Sequence, residues 1–234
     1  MGRRSKNAPR CTRCRMHAAS CVCEGVVPLE LETRVVLVMH YKELPKTTAT
    51  GPMALAALDN SELHVHGRRE PVALDHLHDE GRRVVVLFPR EGACTLTEAF
   101  RSEDPRPVTL IVPDGSWHQA SRMPKRIGAL ARAEPVTLPP GPPTRWGLRK
   151  ETDPSGLATF EAIARALGYL ESPQIRLELE GLFERMVTAT FQNRGHERGT
   201  PGWLVHGHQP LQARVPAAPE RQDPSLPPKA SSFF

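Results

Sequence analysis

No stretch of the 234-residue chain comes near the ~18 to 20 apolar residues that a membrane-spanning helix needs. Met1 to Arg10 holds no apolar run of the kind a secretory signal requires, despite Arg3 and Arg4. Lys6 stands where an N-myristoylated Met1-Gly2 start would need Ser or Thr. These absences predict a cytoplasmic protein with no membrane partner. No Gly-x-Gly-x-x-Gly and no P-loop follows any strand-like run, which argues against a dinucleotide-binding Rossmann domain and against an NTPase. Lysine is scarce: the 31 basic side chains comprise 25 Arg and 6 Lys. Arginine suits phosphates and stacked bases, so a net charge of +5 of this make-up favours a polyanionic partner. At 39% hydrophobic and 24% charged residues, the chain can bury one good core with a small appendage.

What cysteine there is stands together. Four of the five fall within thirteen positions as Cys11-x2-Cys14-x6-Cys21-x-Cys23, and Cys94 stands apart. A Cys-x2-Cys turn aims two thiolates at one centre and a second pair completes a tetrahedral shell, so the leading reading is a structural zinc site. Two disulfides or an iron–sulfur cluster are the alternatives the pattern leaves open. Arg3, Arg4, Lys6, Arg10, Arg13 and Arg15 precede the first acid, Glu24. A basic arm on a metal-folded knuckle, residues 1–25, suits an RNA backbone, with Arg10 and Arg13 as candidate contacts; a solubilising tail is the plain alternative.

From residue 26 to about 195 the pattern is α/β. Arg34 to Met39, Arg83 to Phe88, Val108 to Val112 and Pro135 to Leu138 are strand-like runs separated by helical segments, which predicts a mainly parallel sheet. Leu63-His-Val-His66 alternates like an edge strand, and Pro52 to Leu58 reads as a short helix. His40, Glu43 and Lys46 lie beyond the first strand's end.

The chemistry-bearing stretch is Val112-Pro-Asp-Gly-Ser-Trp-His-Gln-Ala120, which leads from the third run into a helical segment ending near Ala133. Beyond the carboxyl ends of a parallel sheet, Asp114 is a base or acceptor, Gly115 permits close backbone approach, Ser116 is a candidate N-cap and Trp117 a stacking surface. The bland reading is a capped turn with a core tryptophan. Leu138-Pro-Pro-Gly-Pro-Pro143 is a rigid bend expected to deliver Thr144 to Glu151 to a surface, where Arg145, Arg149 and Lys150 beside Trp146 form a cationic, stacking loop. Asp153 starts a helix to about Leu170, and Ser172-Pro173 caps another to about Asn193, with Ile175, Leu179, Leu182, Phe183, Met186 and Val187 on its core face. Residues 196–234 are Pro-rich and read as a largely disordered tail.

Taken in order, the four-cysteine group, Leu87-Phe-Pro89, Asp114-Gly-Ser-Trp117, Leu148-Arg-Lys-Glu151 and Gly156-Leu-Ala-Thr-Phe-Glu-Ala162 resemble the DTW-domain family of bacterial tRNA-uridine aminocarboxypropyltransferases over roughly Arg10 to Arg194. The resemblance implies a SPOUT-like, knotted or knot-like sheet and S-adenosylmethionine as donor substrate. The activity it implies is transfer of the 3-amino-3-carboxypropyl group to N3 of a uridine in tRNA, not DNA, releasing methylthioadenosine. By the same resemblance Asp114, Ser116 and Trp117 are catalytic. Leu87, Pro89, Gly115, Leu148, Arg149 and Leu157 bind the donor, Arg10, Arg13, Arg145 and Lys150 contact RNA, and Cys11, Cys14, Cys21 and Cys23 hold zinc. Ser116 replaces the family's namesake threonine and keeps its hydroxyl, and Thr47 to Gly51 lacks an expected asparagine. An imide nitrogen attacks only once deprotonated, so a desolvated carboxylate such as Asp114 under Trp117 is the natural base or orienter. A SPOUT-type RNA methyltransferase and a non-catalytic zinc-knuckle RNA-binding protein are the competing functions.

Overall fold

A computed structural model of the chain describes residues 9–147 and 156–193. Six strands, β1 (Arg34–His40), β2 (Ser61–His66), β3 (Arg83–Leu87), β4 (Cys94–Thr95), β5 (Val108–Asp114) and β6 (Glu134–Thr137), form one sheet in the order β2-β1-β5-β3-β6-β4. Every pairing in it is parallel. The β-branched runs of β1, β3 and β5 are buried on both faces, as unbroken rather than alternating hydrophobicity requires. β2 lies at the edge, as its alternation predicts, whereas the two-residue β4 occupies a segment expected to be loop.

Successive residues of each strand face opposite layers. Val35, Leu37, Met39, Leu110 and Val112 pack into the larger core with α1 (Gly51–Leu55), α6 (Thr159–Leu170) and α7 (Pro173–Asn193). Val36, Val38, Val86 and Ile111 pack into a smaller one with α4 (Met123–Arg126) and α5 (Gly128–Arg132). The long α7 buries Leu179, Leu182, Phe183, Met186 and Val187, and leaves Ile175 partly buried. Ser172 Oγ accepts the Ile175 N–H at 3.3 Å and so caps it.

Two helix expectations need correcting. The segment after Ser116 is not one helix: it divides into α3 (Trp117–Ala120), α4 and α5. Pro124 lacks the N–H that a continuous helix would use, and Ile127 is extended at φ −119°, ψ 106°. Likewise α6 starts at Thr159 rather than near Asp153, because Ala158 is extended and the Glu161 carboxylate accepts its N–H at 3.2 Å. The short α2 (Phe100–Glu103) completes the fold and buries Phe100.

Candidate functional site

The carboxyl ends of β1, β3, β5 and β6 open onto one cleft of about 1000 Å³. Asp114 ends β5 and continues the row Leu110, Val112, so strand alternation turns it toward α6. It is only 3% exposed, and its Oδ1 accepts a hydrogen bond from Thr159 Oγ1 at 2.8 Å. The opening of α1 closes over it because residue 51 is glycine. A Cβ there would lie 2.6 Å from Leu37 Cδ2 and 2.9 Å from Asp114 Oδ2. Asp114 sits behind the cleft wall, flanked by Pro113, Gly115 and Thr159, which line it.

Ser116 caps α3 as expected, with a full capping box: its Oγ accepts the Gln119 N–H at 3.3 Å, and Gln119 Oε1 accepts the Ser116 N–H at 2.8 Å. Trp117 is not a core residue. It is 39% exposed, and its ring lies 5.7 Å from Phe88. Gly51 of α1 and Thr159 of α6 lie directly against Asp114.

Leu87, Pro89, Gly115, Ser116, Trp117 and Leu157 all line the cleft, so residues from three distant motifs meet in it. Leu148, Arg149 and Lys150 lie outside the described residues. The bend at 138–143 does not carry Trp146 to a surface: Trp146 is 2% exposed, packs 5.8 Å from Phe183, and donates its indole N–H to Thr48 O at 3.1 Å. The turn is held inward by Glu161, whose carboxylate accepts the Thr144 hydroxyl and, at 2.7 Å, the Arg145 N–H. Burial pushes the Glu161 carboxyl up, against the downward pull of these hydrogen bonds.

Sequence reading missed Thr159 and Arg165 as cleft residues. The signal was available in helical spacing: Ala158, Ala162 and Arg165 fall at i, i+4 and i+7, a small-residue face ending in one cation. Arg165 is 8% exposed, its Nη2 donates to Pro142 O at 2.8 Å, and its Nε has no hydrogen-bond partner among the described residues. Burial lowers its pKa from the ordinary arginine value, while the Glu161 carboxylate one turn back opposes the shift. The cleft also takes in Glu43 and Lys46, paired at 2.6 Å with Glu43 fully buried, but not His40.

In the knuckle, the four sulfur atoms of Cys11, Cys14, Cys21 and Cys23 lie within 4.8 Å of one another, and none is in a disulfide. The Cys11–Cys23 and Cys14–Cys21 separations are 3.9 and 3.8 Å. A tetrahedron of thiolates bonded at ~2.3 Å has edges of about 3.8 Å, so the donor set fits a tetrahedral metal ion. The backbone N–H of Cys14 draws the Cys11 thiol down to about 6, while burial pushes Cys23 up to about 11 and Cys14 higher still. Cys14, Met16 and Cys23 join the larger core, so the knuckle is packed onto the sheet domain. Its arginines tie it down. Arg10 donates to Pro45 O at 3.3 Å, Arg13 to Cys23 O at 3.4 Å and Ala56 O at 3.1 Å, and Arg15 to Leu44 O at 3.2 Å.

The model of the DTW domain matches residues 8–191. The chain is similar to proteins named tRNA-uridine aminocarboxypropyltransferase 2. It is 28% identical to that of Macaca fascicularis over 173 residues, 71% of this chain and 58% of the relative. For Drosophila melanogaster the identity is 24% over 208 residues, 86% and 82%. For Mus musculus it is 27% over 175 residues, 71% and 58%. The chain thus spans less than two thirds of the macaque and mouse relatives. No solved structure matches it.

Proposed function

This chain belongs to the DTW-domain family, and from that premise we propose that it is an enzyme that transfers the 3-amino-3-carboxypropyl group of S-adenosylmethionine to N3 of a uridine in tRNA. The relatives' name supports the tRNA uridine and the group transferred. The observation that carries the reading to particular residues is the buried Asp114 carboxylate bonded to Thr159 Oγ1, directly behind the wall of the cleft.

The cleft fits a nucleoside carrying an amino acid. Its volume of about 1000 Å³ is ample for such a molecule, and its wall is apolar at Leu87, Pro89 and Leu157. Arg165, a buried guanidinium whose Nε has no partner among the described residues, supplies the cation a carboxylate would need. When bound, S-adenosylmethionine supplies a sulfonium with electrophilic neighbouring carbons. Gly115 lets the backbone approach the reacting groups, and Ser116 fixes the turn through its capping box. Thr159 stands between the cleft and Asp114, so its hydroxyl takes the imide proton while passing its own to Asp114 Oδ1. Trp117, exposed at the mouth, stacks on the incoming base. Arg149 and Lys150 remain candidate contacts to donor and RNA, as Arg10, Arg13 and Arg145 do for RNA through donors not already used.

Zinc is the metal proposed for Cys11, Cys14, Cys21 and Cys23, in a structural role, since four thiolates leave no open position. The SPOUT-like architecture also belongs to the proposal, supported by the wholly parallel sheet with its cleft at the carboxyl ends. The site is tested by calorimetry with S-adenosylmethionine and with methylthioadenosine, which lacks the carboxylate. Arg165→Met should weaken the first by roughly 10- to 100-fold, as loss of a charge-assisted bond implies, and leave the second unchanged. Equal weakening of both, or of neither, would contradict the assignment.

A further inference from the structure

Arginine is used in two ways on this surface. Among the described residues, the cations at the amino ends of the strands are bound to the protein itself: Arg34 to Glu62, Arg83 to Glu134, Arg101 to Glu32 and Arg106 to Asp104, at 2.6 to 2.8 Å. The knuckle arginines are likewise held on backbone carbonyls. At the carboxyl ends the exposed side chains of Arg68, Arg69, Arg122, Lys125 and Arg126 make no hydrogen bond or ion pair with any described residue. Exposed cations left without acids, gathered at one edge, are the footprint of a polyanion.

Their placement is specific. Arg122, Lys125 and Arg126 follow the cleft residue Ala120 by two to six positions, on the α4 side of the sheet, opposite α6. Along the rim Asp114 of β5 lies in register with Met39 of β1, and the next β1 residue, His40, in register with His66 of β2. Gly115 backs onto His40, and the Gly67 turn (φ +91°) closes on the His40 ring and leads to Arg68 and Arg69. Arg126 lies near enough to His66 to help burial hold that imidazole below its ordinary range. A row of groups therefore runs from the Asp114 turn across β1 and β2 to the free cations, and Trp117 stands exposed where the row meets the cleft.

We propose that Arg122, Lys125 and Arg126, with Arg68, Arg69 and the Trp117 ring, are the docking track for an unpaired segment of tRNA. The donor cleft opens on the α6 side, so RNA and donor approach the Asp114 turn from opposite layers of the sheet. The segment is single-stranded because N3 of uridine is on the pairing edge, hidden in a duplex, and because an exposed indole binds a base that has left its stack. This inference rests on the tRNA reading above.

The test is tRNA affinity by fluorescence anisotropy across a salt series, with S-adenosylmethionine affinity measured in parallel on the same full-length proteins. Arg122→Gln/Lys125→Gln/Arg126→Gln should lose on the order of 10- to 100-fold in tRNA affinity and flatten the salt slope by about 2, as about three lost phosphate contacts require. Its donor affinity should match the wild type. Arg122→Lys/Arg126→Lys, which keeps the charge, should retain the slope, and Arg106→Gln at the opposite edge should change nothing. A triple variant with wild-type affinity and slope overturns the track, as does equal binding of duplex DNA of the same length. Wild-type protein whose tRNA binding depends on the triple site, yet which binds no donor, upholds the track and overturns the transferase reading.

Discussion

The two edges of the one sheet are built from the same residue types and put them to opposite uses. At the amino edge, Arg82 donates to Thr109 Oγ1, Glu32 O and Val108 O, and Arg83 lies bidentate on Glu134 with its guanidinium 3.7 Å from the Phe100 ring centre. Charge there is satisfied and closes the strand ends. At the carboxyl edge the acids Glu43, Asp114 and Glu161 are buried around a cleft, while cations stand exposed outside it. At the first edge charges are paired within the protein, and at the second buried acids and exposed cations stand apart.

That contrast can be broken by substitution, beginning at the carboxyl edge. Asp114→Asn should keep the fold, since it nearly preserves the side chain's shape, and lower turnover by roughly 10²- to 10⁴-fold with little change in donor affinity. Single-turnover kinetics beside a thermal melt would check both; full activity would remove Asp114 from the mechanism. Cys11→Ser should lose the bound metal by elemental analysis and cost about 4 kcal/mol or more in denaturant unfolding, in line with loss of a structural metal. Gly51→Ala pushes a methyl onto Leu37 and Asp114 Oδ2. It should cost about 1–3 kcal/mol by overpacking and, unlike an ordinary core change, lower turnover as well.

Amino-edge changes should behave differently. Arg83→Ala removes the bidentate pair and the aromatic contact and should cost about 1–2 kcal/mol in urea unfolding, because Glu134 is partly solvated. Its tRNA salt slope should stay at the wild-type value. The smallest effect is a pH dependence. Burial, the leading cause, holds His40 and His66 below the ordinary histidine value of about 6.5, so folding disfavours their protonated forms. The unfolded chain binds protons first as pH falls, so this stability is present above about pH 6.5 and is lost as pH falls through the folded values. The urea midpoint should decline on acidification, and His66→Gln should flatten that decline.

Much of this organisation was legible in the residues. Unbroken β-branched runs revealed the central strands, and the spacing of cysteines gathered the sulfur cluster, because both signals are local. Sheet order was not legible, since the placement of β5 between β1 and β3 depends on contacts far apart in sequence. Asp114 was found by its place after a strand, but its true neighbours, Gly51 and Thr159, lie 63 and 45 positions away and needed the fold to bring them in. Trp117 stands exposed, as a stacking surface requires, whereas Trp146, expected on a surface loop, is buried against Phe183. Each follows a turn beside polar residues, and only the packing of α7 buries the second while leaving the first open.

The central claim is best tested by incubating purified protein with S-adenosylmethionine and bulk tRNA and identifying the nucleoside by-product by mass spectrometry. The account predicts methylthioadenosine together with a uridine carrying the aminocarboxypropyl mass. S-adenosylhomocysteine with a methylated nucleoside, or no by-product at all from protein that binds both ligands, would contradict it.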